Sequence, residues 1–266
     1  MPLYAGRRKT MILAVDMGNS NIKIGVAKDP RNIIEERVTT SYNKSSLEYA
    51  TDIMSVLNFH DICKEDLEGA IVSSVVPPLT GIFSSAIRKV LGLEPMVVCP
   101  EMKMDISLKR FKYPKGVGAD LIVGAEAAYT HYQAPCIIVN LGTATTITAV
   151  DSKGDFRGGL ILPGVMSGVK ALSGSTALLP EISLEKPGRC LSQNTEQCIR
   201  GGIVYGTAGS IDAVIDRMEK ELDGAPTVIG LGGMARFILP YVQHKVVRDD
   251  ALLMKGLLKL YELNKS

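Results

Sequence analysis

Hydrophobic residues along the chain form two successive sets of short apolar runs, and segments with helical spacing lie among them. The first set of runs, typical of β-strands, covers 11–16, 21–27, 33–39, 70–76 and 96–99. The second set covers 136–140, 145–150, 156–162, 227–231 and 245–248. Apolar residues at helical spacing predict helices within 45–58, 81–92, 118–132, 206–222 and 250–263. This order predicts an α/β protein with two similar halves.

A segment near the start of the chain has a second copy 124 positions later, at 12–27 and 136–151. Each copy is an apolar strand, a polar residue, a glycine two positions on, small polar residues and a second strand. The polar residue and the glycine are Asp16 and Gly18 in the first copy and Asn140 and Gly142 in the second. A glycine turn between strands can offer backbone N–H groups to an anion. The repeat predicts two related halves that bind one phosphate-bearing ligand, and two ordinary hairpins are the alternative.

The two sets of strands and helices predict two domains, 11–132 and 133–266, with a break near 131–135. The last helix can pack back on the first domain. Residues 1–10 precede a second methionine, and we interpret them as a leader or an expression remnant. They contain three of the cations in a chain of net charge +2, so the remainder carries −1. This balance excludes the basic surface of a nucleic-acid-binding protein.

The composition, with 46% hydrophobic and 22% charged residues, is that of a globular protein, and no apolar run approaches the ~20 residues of a membrane span. The five cysteines form no CxxC pair, which favours reduced thiols and a cytoplasmic location. The three histidines, His60, His131 and His244, are scattered and show no metal-site spacing.

Glycine turns of this kind occur in two familiar nucleotide-binding motifs. No GxxxxGK[ST] occurs, so a P-loop is excluded. Residues 230–235, GLGGMA, fit the dinucleotide pattern GxGxxA after a strand, and Asp249 lies about 20 residues on. However, this motif lies near the end of the chain without a second mononucleotide half after it. A glycine turn that opens a helix beside a nucleotide explains it equally well.

The turn DMGNSN at 16–21 resembles the first phosphate motif of the acetate and sugar kinase, Hsp70 and actin superfamily. More closely, the chain resembles type III pantothenate kinase over 11–263. Eight collinear pieces carry the resemblance: DMGNSNIKIGV at 16–26, SSVVPP at 73–78, GVGAD at 116–120, GTATT at 142–146, GGLILPG at 158–164, ALLP at 177–180, NT at 194–195 and GLGGMA at 230–235.

The resemblance implies two actin-like (ribonuclease H-like) halves of an α/β fold with a central nucleotide cleft. It implies an enzyme that phosphorylates pantothenate with ATP to 4′-phosphopantothenate, the first step of coenzyme A biosynthesis. It also implies Mg²⁺, a bound K⁺ or NH₄⁺ ion and a homodimer. The helix after Asp120, with Leu121, Ile122 and Val123, has more apolar surface than one buried face requires, which favours a dimer independently.

The resemblance also assigns roles to residues. Asp120 is the base that accepts the proton of the pantothenate hydroxyl, and a carboxylate in the first turn of a helix is an accessible acceptor. Asp16 organises Mg²⁺, since hard cations prefer oxygen ligands. The ATP-binding residues implied are Asp16, Gly18, Asn19, Ser20, Asn21, Lys23, Gly142 and Thr143. The substrate-binding residues implied are Phe111, Gly118, Ala119, Asp120, Leu121 and Thr195.

Three positions depart from the pattern usual in the family. Phe111 stands for a tyrosine, Leu121 for a substrate-contacting arginine, and Asn140 for the aspartate associated with the monovalent cation. Leucine removes a bidentate partner for a carboxylate, and asparagine offers a cation only a neutral oxygen. The alternatives to a pantothenate kinase are therefore a related small-alcohol kinase and a nucleotide-binding regulatory protein with weak activity. The presence of both Asp16 and Asp120 favours an enzyme.

Overall fold

The computed structural model describes residues 11–176 and 178–265, so the predicted leader at 1–10 lies outside the described residues. The fold is α/β with two five-stranded sheets. The strands are β1 Met11–Met17, β2 Asn21–Ala27, β3 Ile33–Thr39, β4 Leu67–Ser74, β5 Met96–Val97, β6 Cys136–Leu141, β7 Ala144–Val150, β8 Phe156–Pro163, β9 Thr227–Leu231 and β10 Val246–Arg248. The helices are α1 Ser46–Phe59, α2 Pro77–Leu91, α3 Ala119–His131, α4 Val165–Ser175, α5 Thr195–Glu219, α6 Ala235–Ile238 and α7 Leu252–Asn264.

The first sheet has the strand order β3-β2-β1-β4-β5. The first three strands form an antiparallel meander, and β4 and β5 run parallel to β1. Apolar side chains of β1, β2 and β4 pack against α1 and α2 in one core, which includes Leu13, Ile24, Tyr49, Ile53 and Phe83. Both helices have clear sequence boundaries. A capping box of Ser45 and Glu48 opens α1, whereas α2 has proline at its start and ends at Gly92 with φ 69°.

The second sheet repeats this order as β8-β7-β6-β9-β10, again with three antiparallel strands followed by two parallel ones. Its core packs one face against α5 and includes Val139, Ile147, Val204, Ile211 and Ile215. The expectation of two similar α/β halves is therefore confirmed.

The repeated hairpins occupy equivalent places in the two sheets, but their turns differ in length. The strands of the first hairpin last pair at Met17 and Ile22, and those of the second at Leu141 and Thr145. The second turn is thus one residue shorter. The Gly18 N–H donates to the Asn21 carbonyl at 3.0 Å, whereas Gly142 N–H donates to the Ala144 carbonyl at 3.1 Å. The sequence repeat therefore aligns the glycines of the two turns, but the second strands of the two hairpins are offset by one residue.

The chain divides into two compact units, and each unit is made of separate stretches of the sequence. Among the described residues, the first contains 11–104 together with 113–127 and 253–265, and the second contains 105–112 and 128–252. Within the first unit α7 packs on the sheet and on α3, where Gly25 leaves room for Met254, Gly69 for Tyr261 and Gly256 for Val123. The domain bounds 11–132 and 133–266 remain a prediction, because compactness does not show which segments fold independently.

Three helical features differ from the sequence expectation. Helix α5 begins at Thr195, eleven residues before the predicted start at 206, because glycines at 201, 202 and 206 obscure its pattern. The glycine-containing α4 and the four-residue α6 were not predicted. In α3, Ile122 and Val123 are fully buried within their own chain, so the apolar surface that favoured a dimer is already covered.

Candidate functional site

The first glycine turn is braced by the end of β3. Thr40 Oγ1 donates to the Gly18 carbonyl at 2.7 Å, and the Thr40 N–H donates to the Ser20 carbonyl at 3.1 Å. The side chains of Asn19, Ser20 and Asn21 are exposed at this turn. The turn therefore has a fixed backbone and polar side chains that can reach a ligand. Thr40 could not be identified from the sequence. It lies one residue after β3 and contacts the turn only once β3 has paired with β2.

Asp16 lies near the end of β1, the central strand of the first sheet, with Lys23 of β2 and Ser73 of β4 paired to it in register. It is 9% exposed, and burial raises its pKa from 3.8 to about 6. Lys23 and a weak contact from Ser73 lower the pKa, while the charges of Asp120 and Glu35 raise it. The Ser73 hydroxyl, also buried, makes no hydrogen bond of ordinary geometry, so its effect on Asp16 is small. Near neutral pH the sheet therefore holds a buried carboxylate that a cation would stabilise.

Lys23 is held inside this cluster rather than projecting into solvent. Its ammonium lies 3.6 Å from a Glu35 carboxylate oxygen, and the two side chains are 13% and 17% exposed. Arg37 also approaches Glu35, at 3.4 Å. The alternative that Lys23 is an ordinary solvated strand residue is therefore disfavoured. Glu35 was not found from the sequence because its link to Lys23 depends on the pairing of β2 with β3.

Asp120 lies in the first turn of α3, in the same compact unit as Asp16. Burial raises the pKa of Asp120, and hydrogen bonds from the backbone N–H groups of Leu121 and of Asp120 itself lower it. The carboxylate is folded back over Gly118, where a Cβ atom would lie 2.6 Å from Asp120 Oδ1. Gly118 therefore has a physical role, which is to leave space for the carboxylate.

The second glycine turn lies against the N-terminus of α4. Gly164 caps this eleven-residue helix and lies so close to the Thr143 carbonyl that no side chain fits there. Ser167 Oγ donates to the same carbonyl at 3.4 Å. Helix N-termini favour anions through their free N–H groups and their dipole. Because Thr143 is exposed, the turn and the helix start together offer polar groups that suit a phosphate.

Asn140 occupies in β6 the position that Asp16 occupies in β1. It pairs with Thr146 of β7 and Leu231 of β9 and is half-buried. Its amide oxygen lies 3.6 Å from where a Cβ atom of Gly142 would be. The second turn therefore has a neutral oxygen where the first has a carboxylate.

The remaining predicted residues are more dispersed. Phe111 packs on Phe156 with ring centroids 5.8 Å apart and lies over Gly158. Thr195 is exposed as the first residue of α5, directly after the Asn194 cap. Leu121, which follows Asp120, is half-buried. The structure thus brings Asp16, Lys23 and Asp120 into one electrostatic cluster, whereas Phe111 and Thr195 belong to the second compact unit.

Comparisons with known proteins identify the family of the chain. The sequence model of the family described as type III pantothenate kinase matches residues 12–217. Type III pantothenate kinases of Moorella thermoacetica and Bifidobacterium animalis subsp. lactis are 36% and 37% identical to the chain, each covering 96% of it and 100% of the relative.

Solved structures support the fold. A Campylobacter jejuni protein described as a Baf family transcriptional activator has a TM-score of 0.58 at 20% identity and covers 94% of this chain and 97% of its own. A Listeria monocytogenes protein described as an N-acetylmannosamine kinase has a TM-score of 0.51 at 11% identity, with 95% and 98% covered. The two halves are thus of the actin-like type found in sugar kinases. Among the described residues, no helix is long and apolar enough to cross a membrane.

Proposed function

The chain belongs to the type III pantothenate kinase family and is an ATP-dependent pantothenate kinase of coenzyme A biosynthesis, and we propose that Asp120 and the cluster around Asp16 perform its reaction. The observation that carries the proposal is the pair of carboxylates in one unit. Asp16 is buried in the sheet, and Asp120 lies at a helix start close enough to raise the pKa of Asp16.

Asp120 acts as the general base. Its carboxylate accepts the proton of the pantothenate hydroxyl while that oxygen forms its bond to the γ-phosphorus, and the bond to the β-phosphate oxygen breaks to release ADP. Burial raises the pKa of Asp120, which makes it a better proton acceptor. The backbone N–H groups at the start of α3 fix its orientation, and Gly118 leaves the space it occupies.

The Asp16 cluster fits a divalent cation such as Mg²⁺. The buried carboxylate is destabilised by the charges of Asp120 and Glu35, and a hard cation prefers such oxygen ligands. When bound, Mg²⁺ supplies positive charge for the phosphates of ATP. Lys23 adds a fixed positive charge beside it, and the exposed turn of Gly18, Asn19, Ser20 and Asn21 binds phosphate oxygens through N–H and side-chain groups.

The second turn binds phosphate in the same manner, with Gly142, Thr143 and the N-terminus of α4. Asn140 offers one neutral oxygen to K⁺ or NH₄⁺. Leu121 and Ala119, which adjoin the base in α3, are proposed to contact the substrate, whereas Phe111 and Thr195 of the second unit stay predicted substrate contacts. We also propose that the enzyme acts in the cytoplasm and forms a homodimer. Leu160 and Ile161, 47% and 74% exposed on β8, support a protein contact surface.

A coupled assay of ADP release tests the function, with pantothenate, a panel of other small alcohols, and ATP with or without Mg²⁺. Leu121, in place of the arginine usual in the family, favours a related small-alcohol kinase as the second candidate. Turnover greatest with pantothenate and lost in Asp120→Asn supports the proposal. A higher kcat/KM with another alcohol would favour the second candidate. Light scattering of the purified enzyme measures the oligomer.

A further inference from the structure

The end of α5 and the segment before β10 bring a histidine and several carboxylates together in the second compact unit. Asp212, Asp216 and Glu219 lie in the last turns of α5, and His244 faces them. The distance from His244 Nε2 to Asp216 Oδ1 is 3.2 Å. Asp216, Glu219 and His244 each offer one ligand atom, and these atoms lie within 4.8 Å of one another. The sequence spacing gave no sign of this, because His244 lies 25 residues after the end of α5.

The orientation of His244 is set by Asp212. His244 Nδ1 lies 2.8 Å from Asp212 Oδ1, and the carboxylate can only accept, so this nitrogen carries the hydrogen. Asp212 is itself fixed by the backbone N–H groups of Gln243 at 3.0 Å and His244 at 3.2 Å. Nε2 lies 3.2 Å from Asp216 Oδ1, so without a metal this nitrogen also carries a hydrogen, and a bound metal ion would take the place of that hydrogen. Metal-binding histidines in proteins are oriented by this kind of carboxylate partner.

The electrostatics of the helix end also favour a cation. The three carboxylates follow one helix face at spacings of four and three residues, where like charges repel. They lie at the C-terminal end of α5, where the helix dipole is negative and acidic residues are unfavourable. Arg217, the basic residue of this last turn, donates to the Ala213 carbonyl at 2.5 Å. A protonated imidazole balances only one of the three negative charges, whereas a divalent ion balances two.

We propose that His244 Nε2, Asp216 and Glu219 form a binding site for a divalent transition-metal ion of the Zn²⁺ type, with Asp212 orienting the histidine. One imidazole nitrogen with two carboxylate oxygens suits Zn²⁺ or Co²⁺, whereas Mg²⁺ prefers oxygen ligands alone. The bound ion ties the end of α5 to the segment that leads into β10. None of these residues belongs to the kinase site, so the metal stabilises the second unit rather than serving in phosphoryl transfer.

The test uses the full-length, tag-free enzyme, treated with a chelator and then titrated with Co²⁺ or Zn²⁺. Visible absorption reports Co²⁺ binding, and competition with a chromophoric chelator gives the Zn²⁺ affinity. The variants are His244→Ala, the double variant Asp216→Asn with Glu219→Gln, and Asp212→Asn. The matched control is His60→Ala, since His60 Nε2 has a single carboxylate partner, Glu36, at 3.0 Å. Circular dichroism and metal-free Tm establish that each variant is folded.

We expect wild type and His60→Ala to bind one equivalent with the same affinity and to gain Tm with Zn²⁺. His244→Ala should bind at least tenfold more weakly, and Asp212→Asn about 10–100-fold more weakly, as found for such supporting carboxylates. If His244→Ala fails to fold, the double variant decides, because both of its side chains are exposed. Wild type without stoichiometric binding would overturn the proposal, as would a double variant that binds like wild type. In either case Asp212 and His244 only fasten the segment to the helix.

Discussion

Gly118→Ala tests whether the position of the Asp120 carboxylate controls phosphoryl transfer. A methyl group at residue 118 would lie 2.6 Å from Asp120 Oδ1, whereas ordinary contacts begin near 3.4 Å. The carboxylate must therefore move by roughly 0.8 Å or rotate away from its backbone N–H partners. A misplacement of about 1 Å at a reacting group can lower a rate by ~10²-fold, so we expect kcat to fall by roughly 10–100-fold.

The matched control is Gly116→Ala, two residues earlier in the same segment. A Cβ atom at residue 116 would have no heavy atom within 4 Å, and no left-handed φ constrains either glycine. The control should retain wild-type kcat and KM, and its stability should change by less than about 1 kcal/mol. The coupled ADP assay gives kcat and KM for both substrates, and thermal unfolding excludes a general loss of structure.

A double variant makes the test independent of the size of the single effect. If Gly118 acts only through Asp120, adding Gly118→Ala to Asp120→Asn should lower kcat little beyond Asp120→Asn alone. Full additivity would mean that residue 118 acts on something other than the base. Equal kcat values for Gly118→Ala and Gly116→Ala in folded enzymes would refute the reasoning outright.

Asp120→Asn alone should leave Tm nearly unchanged and lower kcat by about 10²-fold or more, and undiminished kcat would reject Asp120 as the base. Asp16→Asn should abolish activity with Mg²⁺-ATP yet raise Tm near neutral pH, because a rise of pKa from 3.8 to about 6 corresponds to roughly 3 kcal/mol of destabilisation by the buried charge. Since the folded pKa is the higher one, this gain in Tm should shrink as pH falls from about 6 to 4 and the wild-type carboxyl is protonated, whereas a gain independent of pH would contradict the assignment. Wild-type activity should respond weakly to K⁺ and Asn140→Asp should strengthen the response, measured in matched Na⁺ and K⁺ buffers; strict K⁺ dependence of wild type would contradict this. Leu121→Arg should lower KM for pantothenate about tenfold for each ~1.4 kcal/mol gained, and a raised KM would mean that the pocket is built around leucine.

The parts of the fold that the sequence predicted are those with a strong local signal. The two hairpins and their glycines follow from alternation of apolar residues and from the internal repeat, and all ten strands lie where apolar runs were found. Helix α1 was predicted within one residue at each end from the spacing of its apolar residues, and the structure shows a capping box of Ser45 and Glu48 at its start. The long α5 was predicted only in its second half, because the glycines near its start contribute no side chains to an apolar pattern.

In the candidate site, too, the residues in local sequence motifs could be predicted, whereas those that depend on strand pairing could not. Asp16, Gly18, Lys23 and Asp120 were identified from local motifs that resemble those of the family, whereas the pairing of Asp16 with Lys23 is seen only in the structure. Thr40 and Glu35 could not be found this way, because their contacts with the turn and with Lys23 exist only once β3 pairs with β2. The roles of the motif glycines also required coordinates, since a sequence shows that a residue lacks a side chain but not which atom takes the space.

The two halves share a topology, but the residues beside their glycine turns differ in charge. In the first half, the central strand carries Asp16, and Lys23 and Ser73 lie in register on its two sides. In the second, the equivalent position is Asn140, and its neighbours Thr146 and Leu231 carry no charge. Burying a carboxylate requires a nearby cation or strong hydrogen bonds, and neither of the two strand neighbours of Asn140 is a cation. Instead, its shorter turn lies against the N-terminus of α4, which favours an anion without any charged side chain. The buried carboxylate of the first half thus suits a cation, whereas the second turn suits an anion through the start of α4.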